Sequence, residues 1–426
     1  MYSMMREDFL HYIWKYKKFD LSNLITVKNE RLHIVNAGQY TQLQGPDFFN
    51  AQIEIDGQKW AGNVEIHLKS SDWYVHQHQK DNNYDSIILH VVWEHDVDVY
   101  RLNNAAVSVL ELKNYVSTTT INSYHKLVEK KTWIYCETQI GKVPNFVFKN
   151  WQERLFFERL VRKATAVEIL LSEVAQDWES VLFCMLAKNF GLNTNGESFL
   201  NIAKKISFHI IRKEKNDVEN IEALFFGFAG LLDSDKEDNY FKDLKFRFYY
   251  LINKYQLDVS FFENVTFFKH RPDNFPTVRF SQLANLIHDR NNLFSAIIEA
   301  KSTKEIYDIF NIGVSVYWET HFQFDNLSPK KEKKLSKSFI DLIIINTIIP
   351  LKFAFAKSKS IDNTEYLIDI LNTVKPESNG IISKFKSFGI DAKDAFVTQS
   401  LLQLKNEYCN NARCMDCAVG MDLLKN

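Results

Sequence analysis

Asp47, Glu65 and His67 are the residues of this chain around which chemistry would gather. Asp47 follows Pro46 in GPDFFNAQI, and Glu65 and His67 share the segment GNVEIHLK with Lys69. Carboxylates are hard oxygen ligands of the kind Mg²⁺ takes, one or two per ion, leaving room for water and a substrate phosphate. An ion so held neutralises a scissile phosphate and lowers the pKa of an attacking water. On this reading Asp47 and Glu65 bind Mg²⁺ or Mn²⁺, and His67 or Lys69 stabilises charge in the transition state. A protonated His67 would serve as that cation, whereas a neutral one would bind metal. The competing reading is a half-exposed hairpin with Glu, His and Lys on its wet face, entered by an ordinary Pro-Asp turn.

More imidazoles follow. Asp72, His76 and His78, in SSDWYVHQHQ, have the makings of a His-rich transition-metal site. The two histidines face one way in an extended chain and diverge on a helix. For His78 the preferred reading is a polar loop whose Trp73 packs down on a sheet. His90 lies inside ILHVVW, in parity with Ile88 and Val92, and reads as a hydrogen-bonded core residue or as support behind the site.

The elements that must position these groups are legible in the hydrophobic pattern. Phe9, Ile13 and Tyr16 fall at helical spacing, widened by Leu10 and Trp14. A strand is expected over 31–36. Segments 48–55 and 59–68 read as strands joined at Asp56-Gly57, a strong hairpin signal. Strand alternation puts Val64, Ile66 and Leu68 on one face and Glu65, His67 and Lys69 on the other. Segment 86–93 is continuously apolar and reads as a central strand. Beyond 115 the period becomes helical, with helices expected at 145–173, 177–189, 217–232, 239–254, 281–300, 334–357 and 364–374. The expected fold is α+β: a mixed sheet domain over 1–117, then a mainly helical domain over 118–426.

The composition is that of an ordered globular protein, with 46% hydrophobic residues, 14% aromatic, and 34 Phe against only 13 Gly and 7 Pro. A net charge of −1 gives no global attraction to nucleic acid, so such a partner needs a local basic patch. Lys204, Lys205, Arg212, Lys213 and Lys215 form one basic cluster and 330–337 another; both read as solvated faces. The apolar run 339–356 contains Asp341, Asn346, Pro350 and Lys352, which argues for a buried core helix and against a membrane span. A cytoplasmic protein is expected. No Gly-rich phosphate loop, nucleophile elbow or dinucleotide fingerprint is found.

The motifs GPDFFNAQI, GNVEIH, DWYVHQH and YDSIILHVV, followed downstream by RPDNFP and CNNARCMDCAVG, resemble a bacterial family known as domain of unknown function 2851. The resemblance covers nearly the whole chain and implies no activity. Over the first 115 residues or so, the order Pro-Asp then Glu-x-basic also resembles the metal-dependent nucleases of the PD-(D/E)xK type. That likeness implies Asp47 and Glu65 as metal ligands and a cation two residues after the acid, where this chain has His67 instead of Lys.

The five cysteines are expected as thiols or metal ligands in a reducing compartment. Cys409, Cys414 and Cys417 have the spacing C-x4-C-x2-C, and a tetrahedral site wants a fourth ligand, for which Cys136 is the candidate. The centre would be zinc or an iron–sulfur cluster. Some iron–sulfur nucleases tie a distant Cys to a C-terminal trio in the same manner, an analogy of pattern alone. Cys184, in VLFCMLAKNF, reads as helix core. Three functions follow from these residues: a metal-dependent nuclease or phosphodiesterase, an inactive nucleic-acid- or protein-binding module, or a hydrolase built on the His-rich transition-metal site.

Overall fold

A computed structural model describes residues 5–41, 45–128, 132–260, 262–268 and 270–425. Packing divides the chain into two compact units. One comprises Met1–Gln152, Ser387–Ile390 and Gln403–Asn426; the other comprises Glu153–Lys386 and Asp391–Leu402. The sequence alone divides at 117, whereas packing keeps 118–152 with the sheet and brings 403–426 back to it.

The first unit opens with α1 (Glu7–Lys15), followed by β1 (Leu32–Asn36), β2 (Gln39–Tyr40), β3 (Phe48–Ile55), β4 (Gln58–Lys69), α2 (Asp72–Val75), β5 (Ile87–Glu94) and β6 (Val109–Glu111). The sheet order is β1-β3-β4-β5-β6, with β2 against β3. β3 and β4 form an antiparallel hairpin. Its turn places Asp56 at φ +47° and Gly57 at φ +84°, the left-handed pair for which Asp-Gly is suited. β4 and β5 are parallel, so residues 70–86 must cross over the sheet between them. They do so through α2 and two 3₁₀ turns, His78–Lys80 and Asn82–Tyr84.

Both faces of the sheet are covered. On one, Phe9, Leu10, Ile13 and Trp14 of α1 join Val64, Ile66, Leu89 and Val91 in a single core. On the other, the crossover packs Trp73 and Tyr84 against Ile87, Val92 and Val109. The closeness of β4 to β5 leaves no room for a side chain at Gly62, where a Cβ would stand 2.5 Å from both the Ile88 Cγ2 and the Ser86 carbonyl oxygen. Gly62→Ala is expected to destabilise the protein by about 1–3 kcal/mol, as overpacked cores do. A thermal midpoint equal to that of the wild type would show that the strands part freely at this point.

The second unit is helical. Its elements include Trp178–Phe190, Leu192–Ile206, Val218–Phe228, Asn239–Tyr255 and Pro276–Asp289. Phe rings fill its core, with Phe199 stacked on Phe280 at 3.8 Å between centroids. Among the described residues beyond 150, the strands are the short pair His321–Gln323 and Asn326–Leu327. The apolar segment Lys337–Ser358 is the one described helix long and apolar enough to cross a membrane, and 83% of its apolar window is buried in the protein. Two of the departures from the sequence pattern have a local cause. The single helix expected at 281–300 is broken where Asn292 turns left-handed, at φ +53°. The helix Leu192–Ile206 was hidden by Asn193, Asn195 and Gly196. The Asn195 amide is used instead to hold the Thr266 backbone, donating to its carbonyl at 2.9 Å and accepting from its N–H at 2.8 Å.

Candidate metal centre

The site forms where the hairpin opens. Phe48 pairs with Val64, but β3 begins there, so β4 beyond Val64 has no neighbour on that side. Asp47 closes the gap: its Oδ2 accepts the Ile66 N–H at 2.9 Å, and its own N–H donates to Glu65 Oε2 at 3.1 Å. The same Asp47 Oδ2 lies 3.2 Å from His11 Nε2 on α1. The His11 ring also meets the Tyr40 hydroxyl, 3.4 Å from its Nδ1.

Glu65 and His67 are not on a wet face, because the crossover lies over them; they are 5% and 1% exposed. Glu65 Oε1 stands 3.6 Å from His67 Nε2 and 3.3 Å from His78 Nε2. His67 Nε2 is 3.0 Å from His76 Nδ1, and His67 Nδ1 is 2.8 Å from His90 Nε2. One ligand nitrogen from each of His67, His76 and His78 lies within 4.8 Å of the other two. Their convergence depends on Gln77, which adopts a left-handed φ of +62° between α2 and the next turn. This reversal aims His76 and His78 at one point, where a helix would have splayed them. For a residue other than Gly it is strained backbone, the kind that persists where the surroundings fix it and that clusters at functional sites. His78 is further clamped by Tyr84, stacked on it at 3.7 Å. The polar-loop reading of His78 is therefore replaced by a buried member of the cluster.

The electrostatics suit a cation. Burial, then the Asp47 charge, pushes the Glu65 carboxyl up to about 9. Burial and the Asp47 and Glu65 charges also lift Glu7 to about 7, against the lowering effect of His11. Burial, then His90, His78 and His76, holds His67 down at about 2. Burial holds His90 at about 3. Burial lowers His11 but is outweighed by the hydrogen bond and charge of Asp47, so its imidazole is raised. His67 is thus held neutral and is not the cation that its place two residues after Glu65 would suggest. The Nε2 of His78 is buried without a hydrogen-bond partner, as a metal ligand would be. Three imidazoles and one carboxylate are a donor set for a transition metal such as Zn²⁺ or Mn²⁺ more than for Mg²⁺.

The remaining expected residues lie apart from the imidazoles. The Asp72 Oδ2 accepts the Lys69 N–H at 2.9 Å, and Asp72 is outside the close histidine group. Lys69 is exposed at the end of β4, where its charge acts on Asp96. Glu7 and His11 were missed, because in sequence they are only the polar side of an amphipathic helix. Cys136, Cys409, Cys414 and Cys417 are together elsewhere in the same unit, around a separate cavity.

The family model described as protein of unknown function (DUF2851) matches residues 7–380. The chain belongs to this family. The matched region takes in α1, the whole sheet, the histidine cluster and Cys136, and ends before Cys409. No curated protein and no solved structure matches, so the family membership brings no chemistry, and the chemistry rests on the geometry above.

Beside His11, the sheet unit holds a cavity of about 400 Å³ lined by Lys15, the pairs Arg6–Asp8 and Arg413–Asp416, and the rings of Tyr12, Tyr16 and Tyr40. The Lys15 ammonium lies over the Tyr40 ring, 5.1 Å from its centroid.

Proposed function

We propose that this protein is a metal-dependent phosphodiesterase that cleaves nucleic acid. The observation that carries the reading is the convergence of His67, His76 and His78 within 4.8 Å, with Glu65 Oε1 at 3.3 and 3.6 Å from two of them. His67, His76, His78 and Glu65 would hold the ion. An ion of this kind supplies a water of lowered pKa and positive charge against the phosphoryl oxygens. Asp47, beside Glu65, is placed to take a proton from an attacking water. His11, raised by Asp47, carries a proton that it can give to a leaving oxygen. His90 supports His67 from behind through its second nitrogen, which fixes the ring and its tautomer. The cavity next to His11 offers the Lys15 ammonium for a phosphate and tyrosine faces on which bases can stack.

A second reading has its own support. His67 is held neutral by burial, and Lys69 is exposed at the end of β4, where its charge acts on Asp96, so β4 supplies no cation to the site, as suits a binding module that has lost catalysis. The two separate in one assay, cleavage of single- and double-stranded DNA and RNA with Zn²⁺, Mn²⁺ or Mg²⁺. Cleavage is expected with a transition metal, and Asp47→Asn is expected to slow it by about 10²–10⁴-fold while metal content is unchanged. A wild type that cuts no substrate, or an Asp47→Asn protein that cuts as fast, would leave the binding module as the better account.

A further inference from the structure

The four cysteines that the histidine site does not use meet at one place. Cys136, Cys409, Cys414 and Cys417 all line a cavity of about 20 Å³ in the sheet unit, with Ile140, Leu404 and Val419 among its apolar walls. Three of them come from one tightly turned stretch. A π-helical turn, Leu404–Cys409, ends at the first. Ala412, left-handed at φ +54°, reverses the chain. The 3₁₀ turn Cys414–Asp416 carries the second, and Cys417 caps the helix Ala418–Leu423. A Cβ at Gly420 would stand 2.1 Å from the Cys414 carbonyl oxygen, so only glycine lets this helix close on that turn. The fourth cysteine arrives from far away in the chain, in a turn where its carbonyl accepts the Gln139 and Ile140 N–H groups at 2.9 and 2.8 Å. All four thiols are free.

Cys417 is buried and the other three are half-buried, and the thiols act on one another. Cys409 is raised by burial and then by Cys417, Cys136 and Cys414; Cys414 is raised by burial and then by Cys417 and Cys136. Backbone N–H groups of Val419 and Gly420 oppose the effect of burial at Cys417, which is how a protein supports a thiolate. Close-packed interiors rarely leave a void among four such groups.

We propose that Cys136, Cys409, Cys414 and Cys417 hold an iron–sulfur cluster. A donor set of four thiolates and no imidazole selects zinc or iron–sulfur chemistry. The spacing chooses between them. Zinc sits about 2.3 Å from each sulfur, which would draw four tetrahedral ligands to about 3.8 Å from one another and leave no void at their centre. Among the described residues, the group whose ligand atoms all lie within 4.8 Å of one another is the histidine trio and not the cysteines. Four sulfurs that line one cavity, no three of them all within 4.8 Å of one another, have the wider spacing of a polynuclear cluster.

The test uses the full-length protein purified without oxygen. Iron and acid-labile sulfide are expected in equal amounts, roughly two or four of each per chain, with broad visible absorption that bleaches on reduction. Cys136→Ser is expected to lose both elements. Cys184→Ala is expected to keep them, since Cys184 is buried in the helix Trp178–Phe190 of the other unit. If Cys136→Ser does not fold, the metal and sulfide content of the wild type decides alone. Zinc without sulfide would overturn the cluster, a metal-free protein would overturn the centre, and iron retained in a folded Cys136→Ser protein would overturn the ligand set.

Discussion

Chelator-stripped His78→Ala protein is expected to bind Zn²⁺ or Mn²⁺ more than about 100-fold more weakly than the stripped wild type, measured by titration calorimetry. Loss of a residue that merely supports a ligand typically costs 10–100-fold in affinity, and His78 is proposed as a ligand itself. Its Nε2 is buried without a hydrogen bond, 3.3 Å from Glu65 Oε1, and Tyr84 and Trp73 fix its ring. Phosphodiester cleavage should fall in parallel. His209→Ala, on an exposed position of the helical unit, is the control and should bind as the wild type does. Equal affinities for His78→Ala and wild type would remove the imidazole site and with it the proposed chemistry.

The second large effect concerns pH and stability. Glu65 has an ordinary pKa of 4.5 and is pushed up to about 9, chiefly by burial. Its raised folded value means that the folded state holds a proton which the unfolded chain releases. Its contribution is therefore complete below about pH 4.5 and is lost as pH rises toward 9. His67 and His90 run the other way. Their ordinary value is 6.5, and burial holds them at about 2 and 3. Their contribution is complete above about pH 6.5 and falls away as pH drops toward 3 and 2. The metal-free protein is therefore squeezed from both sides. A bound cation favours ionised Glu65 and neutral imidazoles alike, so it should flatten the alkaline loss and leave the acid loss in place, since ligands must stay deprotonated. Thermal midpoints between about pH 5 and 9, with chelator and with metal, read this out. Glu65→Gln, which keeps the amide-like neutral shape, should remove the alkaline slope. Identical slopes for Glu65→Gln and the wild type would mean that Glu65 ionises freely.

How much of this was legible in the sequence depends on the range of the interactions. The Asp56-Gly57 hairpin and the apolar run of β5 are local patterns, and the sheet follows them. Asp47 and Glu65 were visible as candidates because a Pro-Asp pair opens one apolar strand and a Glu interrupts the next. His78 was not, because its direction depends on the backbone of Gln77, and no residue-type preference announces a left-handed glutamine. His11 was not, because an amphipathic helix has a polar side whether or not it is used. Asp72 was misleading for the opposite reason: an acid at the first position of a short helix is drawn to nearby backbone N–H groups. The cysteine spacing was readable, but only packing shows that Cys136 and the trio share one cavity.

The return of residues 403–426 to the sheet unit has a consequence for how the protein comes into being. Met415, in the turn between Cys414 and Cys417, belongs to the same core as Phe9, Trp14 and Val91. Arg413 and Asp416 form part of the wall of the cavity beside His11. The N-terminal sheet leaves the ribosome first, yet the groups that finish its core and its cavity are synthesised after the whole helical unit. Its apolar surface must wait, uncovered, for at least the time taken to make some 250 residues, at about 5–20 residues per second. A nascent chain that terminates early would therefore expose an unfinished sheet, a ready object for chaperones and proteases, and would carry an incomplete cavity beside the proposed catalytic site.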